Sequence, residues 1–124
     1  MYAMISVFIG GGLGALLRYI ICHYYSKACN LTFPYHTFGI NVLGSFILGF
    51  IIYSINSKTG FDNNLKLFLT VGFCGGLTTF STFSLESLEL FKQGKIVEFL
   101  LYTFGSVVIC LLGAVLGAYF ARYV

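Results

Sequence analysis

Charge is what this 124-residue chain has least of. Asp, Glu, Lys and Arg together make up 9% of it, against about a quarter in an ordinary soluble domain. With 58% of residues hydrophobic and a mean hydropathy of +0.91, the chain reads as an integral membrane protein. A net charge of +3, scattered along the chain, excludes nucleic-acid binding, which needs clustered basic residues. Tryptophan is absent and proline occurs once. The four cysteines, Cys22, Cys29, Cys74 and Cys110, show no CxxC spacing, so neither a zinc site nor a redox pair is indicated. Cys22 and Cys29 are able to pair, but nothing requires it; Cys74 and Cys110 sit in apolar segments as small hydrophobes. The N-terminus lacks a basic leader, so no cleavable signal is expected. No span centre holds a His, an Asp or a pair of carboxylates, which argues against metal hydrolysis and acid–base catalysis. No Ser lies in a GxSxG or beside an evident base, which argues against nucleophilic catalysis.

What is present is four apolar runs, each near the ~20 residues that cross a bilayer. They cover about 4–25, 37–54, 65–91 and 96–123. Short polar links join them, none long enough to fold alone, so residues 1–124 are expected to form a single four-helix transmembrane domain. Tyr2, Tyr24, Tyr25, Tyr53, Tyr119 and Tyr123 fall near segment ends, as an aromatic belt places them. Lys58, Lys66 and Arg122 fall on one side of the membrane; Arg18, Lys27, Lys92 and Lys95 fall on the other. So even a split leaves two readings open. Either something subtler than basic charge orients the chain, or it inserts both ways. In the second case the natural assembly is an antiparallel two-fold dimer. A four-span chain this small hardly encloses a pore alone, which supports the dimer.

The third span carries Gly72-Phe73-Cys74-Gly75-Gly76-Leu77-Thr78-Thr79-Phe80-Ser81-Thr82-Phe83-Ser84. Adjacent glycines followed by β-branched threonines make a poor helix interior. This predicts two half-helices meeting at an unwound centre, whose backbone groups are free to act as ligands. A glycine-packed continuous helix with back-bonded hydroxyls is the alternative. Beyond the break, Phe80 and Phe83 share a face, and Thr79, Thr82 and Glu86 form a polar stripe beside it. In span one, Gly10 and Gly14 make a GxxxG, and Gly11 and Ala15 repeat the spacing; Gly113 and Gly117 make another in span four. Such pairs favour close helix approach. Arg18 either snorkels, or is a fixed cation that draws anions in or pairs with Glu86 or Glu89. Asn41, sharing a face with Ser45, is either helix–helix glue or a donor lining a pore. Tyr102, Ser106 and Cys110 recur at every fourth position on one face.

The intramembrane polar set, Asn41, Ser45, Thr78, Thr79, Ser81, Thr82, Tyr102 and Ser106, is neutral and rich in donors. Such a set suits a small, strongly hydrated anion whose water shell is replaced in steps. Phe80 and Phe83 are able to add ring-edge hydrogens, the positive end of the aromatic quadrupole. A small proton-coupled drug exporter, the first rival, would need a carboxylate in the first span; none is there. A holin-like permeabilising oligomer, the second, would need no break motif.

Taken together, Gly11-Gly12-Leu13-Gly14-Ala15-Leu16-Leu17-Arg18-Tyr19, Gly39-Ile40-Asn41-Val42-Leu43-Gly44-Ser45-Phe46 and the long motif of span three resemble the Fluc/CrcB family of small bacterial fluoride channels. The resemblance covers nearly the whole chain. It implies an all-α, multi-pass protein of the bacterial inner membrane, assembled as an antiparallel, dual-topology homodimer with two fluoride pores. It implies no enzymatic activity, but passive export of fluoride that entered the cell as the neutral acid. It also implies a structural Na⁺ at the dimer centre, held by the backbone carbonyls of Gly75 and Thr78 from both subunits. Phe80 and Phe83 match the family's pore phenylalanines and Asn41 its pore asparagine. Tyr102 and Ser106 look like its polar track, Thr79 and Ser81 belong to the same pore motif, and Arg18 matches the basic residue of a vestibule. An all-oxygen carbonyl cage without carboxylates agrees with a hard monovalent cation.

Overall fold

The computed structural model describes residues 1–28, 33–56 and 61–123. These form helices α1 (Tyr2–Ala28), α2 (Tyr35–Asn56), α3 (Asn63–Leu67), α4 (Gly75–Leu77), α5 (Phe80–Lys92) and α6 (Ile96–Phe120). A π-helical stretch, Phe68–Cys74, joins α3 to α4, and a 3₁₀ turn, Ala121–Tyr123, follows α6. Four segments are long and apolar enough to cross a membrane: Tyr2–Ala28, Tyr35–Ile55, Asn63–Lys92 and Ile96–Tyr123. Each expected span is present, the first three with ends extended by one to three residues and the fourth as expected. Cys29 and Lys58, used above in the cysteine and charge arguments, lie outside the described residues.

The interrupted third span is there, but the interruption is placed by the threonines and not by the glycines. Gly75 keeps helical backbone angles, φ −64° and ψ −36°. Thr78 and Thr79 are extended, with ψ of 157° and 118°. Thr79 then caps α5, its Oγ1 accepting from the Thr82 amide at 3.2 Å, a typical N-cap role. Upstream, Asp62 caps α3 by accepting from the amides of Asn64 and Leu65. Between α5 and α6 the chain reverses through Gly94, whose φ of +72° is open to glycine at little cost. The amides of Gly94 and Lys95 close the turn onto the carbonyls of Phe91 and Leu90.

Glycines set the helix packing. A Cβ at Gly14 would collide with the Phe73 carbonyl, and one at Gly76 with the Gly11 carbonyl. The first half of the third span therefore lies against α1 backbone to backbone. The second helix pair packs likewise: Gly49 of α2 meets the Ala114 carbonyl, and Gly117 of α6 meets the Phe46 carbonyl. The GxxxG pairs in spans one and four both mark these contacts. On the outside, side chains such as Phe8, Val97 and Val115 are well exposed, a surface suited to lipid or to another protein.

Candidate functional site

The break is held by one side chain. Asn41, on α2, accepts from the Thr79 amide through Oδ1 at 2.8 Å. It also donates through Nδ2 to the Thr79 carbonyl at 3.1 Å. A single carboxamide thus takes up both polar groups of an extended residue that no helix supports. The consequence for neighbouring carbonyls follows from helix geometry. In a continuous helix the Thr79 amide would bond the Gly75 carbonyl, and the Thr82 amide the Thr78 carbonyl. Here the first goes to Asn41 and the second to Thr79 Oγ1. The carbonyls of Gly75 and Thr78 lose their i+4 donors as a result. The Gly76 carbonyl receives the Arg18 Nε at 3.2 Å. Arg18 therefore reaches the break itself, not Glu86 or Glu89.

A groove of about 340 Å³ runs beside the break between α2, α5 and α6. Asn41, Ser45, Thr78, Thr79, Phe80, Phe83, Ser106 and Cys110 line it, with Gly44, Leu48, Val107 and Leu111. No ionised side chain is among them. Phe80 and Phe83 stand 5.4 Å apart, centroid to centroid. Phe83 is buried at 7% exposure while Phe80 is 77% exposed. Ser106 is 4% exposed, and its buried hydroxyl has no hydrogen-bond partner among the described residues. Other hydroxyls are occupied locally: Ser45 bonds the Asn41 carbonyl at 2.7 Å, and Thr78 that of Cys74 at 2.9 Å. Such back-bonding leaves the oxygen's lone pairs turned outward. Ser81 stands outside the groove, on an exposed position 3.3 Å from Thr79 Oγ1.

Tyr102 departs from the track it was expected to share with Ser106. It is fully buried, does not line the groove, and donates to Glu86 Oε2 at 2.6 Å. Its ring sits between Phe33 and Phe83, at 5.4 Å and 5.2 Å. Glu86, whose role the sequence left open, is the hub of this cluster. Thr37 donates to Oε1 at 2.8 Å, and His36 Nε2 lies 3.3 Å from the same oxygen. A carboxylate at membrane depth is tolerable only with such donors around it. Thr37 was missed, though a signal existed: Thr37, Asn41 and Ser45 recur at every fourth position of α2. His36 offered no such pattern.

Residues 5–118 match the family described as CrcB-like protein, Camphor Resistance (CrcB). The chain belongs to the CrcB family. Among its relatives in that family is the fluoride-specific ion channel FluC of Phocaeicola vulgatus. It is 41% identical over 122 residues, which cover 98% of this chain and 100% of that protein. The protein of the same name from Ruminiclostridium cellulolyticum is 42% identical over 122 residues, covering 98% and 94%. That from Rhodopseudomonas palustris is 42% identical over 111 residues, 90% of each. Membership of this bacterial family and four membrane-crossing helices make the chain a multi-pass bacterial membrane protein.

Proposed function

We propose that the chain is a passive, fluoride-selective channel. One observation carries this beyond the relatives' names. The groove at the break offers neutral hydrogen-bond donors and two phenyl rings, and no fixed charge. The buried, unpartnered hydroxyl of Ser106 and the second Nδ2 hydrogen of Asn41 are able to replace water around a small anion. Neutral donors release it again, which a fixed ammonium or guanidinium would not. Ring edges of Phe80 and Phe83 supply weak positive potential and exclude larger halides by size. Arg18, anchored on Gly76, raises the local anion concentration at a vestibule. Tyr102 and Thr37 hold Glu86 away from the groove by hydrogen bonds, so Tyr102 supports the conduit's wall instead of lining it. No catalytic step enters this reading.

The functional unit in this proposal is an antiparallel dimer with two conduits. Phe80 and Gly75 are exposed on the single chain, and in this proposal a second copy covers them. The carbonyls of Gly75 and Thr78, deprived of their helical donors, fit a cation held between the two breaks. Oxygen-only ligation by neutral carbonyls favours a hard monovalent ion, Na⁺, in a structural role.

The deciding experiment is efflux from liposomes loaded with fluoride or with chloride. Expected is rapid fluoride release with chloride retained. Equal release of both halides, or release only against a proton gradient, would sink the proposal.

A further inference from the structure

One side chain of the groove carries chemistry that fluoride passage does not use. Cys110 lies on α6 one turn beyond Ser106 and keeps a free thiol. It lines the groove and sits beside the Ser45 hydroxyl. Next to it Ser106, a residue 4% exposed whose buried hydroxyl is unpartnered among the described residues, lines the same groove. A thiol and an unpartnered hydroxyl thus stand one turn apart on the α6 wall of the groove. Cys74 is 1% exposed, and neither it nor Cys22 lines the groove.

We propose that Cys110 is a binding site for soft, thiophilic metal cations, and that a cation held there blocks the conduit. The blocking limb rests on the channel reading above. On binding a cation such as Hg(II), the S–H bond breaks and an S–Hg bond forms. The proton goes to water and nothing is oxidised or reduced. Thiolate sulfur selects soft cations over hard ones, so Na⁺ and Mg²⁺ do not compete for it. The bound cation then stands among Ser45, Ser106 and Asn41, between the walls contributed by α2 and α6. It narrows the groove, and its fixed charge holds a passing fluoride instead of releasing it.

The test is fluoride efflux from liposomes holding the full-length channel, before and after addition of Hg(II). Each variant is compared with its own untreated rate. A chain with Cys22, Cys29 and Cys74 replaced by Ala should keep the block, a drop of roughly tenfold or more. Excess dithiothreitol should reverse it, and intact mass should show one mercury per chain. Cys110→Ser in the otherwise native chain should lose the block. A block that survives Cys110→Ser overturns the inference, as does mercury bound at Cys110 with efflux unchanged. Absence of efflux before any mercury is added overturns the channel reading instead. The mass measurement then still reads the metal site, and no adduct at Cys110 overturns that too.

Discussion

At Phe80 a substitution separates passage from folding. Its side chain is 77% exposed on the single protomer, so little of the chain's own packing depends on it. Phe80→Ile keeps an apolar side chain of similar bulk but removes the aromatic ring from the groove lining. Fluoride efflux should fall by about tenfold or more, since the lost feature acts only on the permeating ion. Helix content and the size of the detergent-solubilised protein should stay as in the native chain. Undiminished efflux would remove Phe80 from the conduit. Asn41 shows how far such roles are legible in a sequence. An amide in an apolar span announces a hydrogen-bond obligation, but glue and donor remain equally good readings of it. Its contact with Thr79, 38 residues away, gives it a structural role, and its place in the groove lining leaves the donor role open to one amide hydrogen. Glu86 was less legible still. Its partners come from two other helices, α2 and α6, and nothing in local spacing joins His36, Thr37 and Tyr102 to it.

For the helices, what was legible was existence and not detail. Apolar runs of spanning length named the four segments, because a bilayer imposes length and apolarity on every crossing. The break was legible as a fault in helix propensity over residues 75–79, and within that stretch the threonines carry it. Gly75 and Gly76 stay helical, and at Gly76 the missing side chain admits α1 at Gly11, whereas Thr79 is drawn out by Asn41. The π-helical stretch Phe68–Cys74 had no signature at all, since its i→i+5 bonding answers to packing more than to composition. The glycine contacts yield a paired prediction. Gly14→Val drives a side chain into the Phe73 backbone, which cannot swing aside as a side chain would. Overpacking of this kind costs about 1–3 kcal/mol or more. Gly12→Val on the same helix meets open space, with nothing within 4 Å. Thermal unfolding in detergent should show a clearly lower Tm for Gly14→Val and a near-native one for Gly12→Val. Equal melting of the two would mean that α1 does not pack through this glycine face.

For the whole molecule, the question is why a break should be kept in a protein so small. A lone protomer leaves the Gly75 and Thr78 carbonyls without their helical donors and Phe80 bare. Unsatisfied carbonyls at membrane depth are costly, and lipid offers nothing to satisfy them. Two copies placed head to tail would bring the two breaks together, and a shared Na⁺ would satisfy four carbonyls at once. The near-equal split of basic residues along the sequence agrees with the proposed insertion in both orientations. If the ion ties the subunits, association must depend on it by mass action. Exchanging Na⁺ for a cation too large for the cage, such as N-methylglucamine, should weaken dimerisation by about tenfold or more, equivalent to about 1.4 kcal/mol. The dimer fraction of labelled protein diluted into liposomes reads this directly. If the proposed dimer is the conducting unit, conduction should fall with the dimer fraction. Dimerisation and efflux that ignore Na⁺ would separate the break from the ion, and the carbonyls would then need another partner.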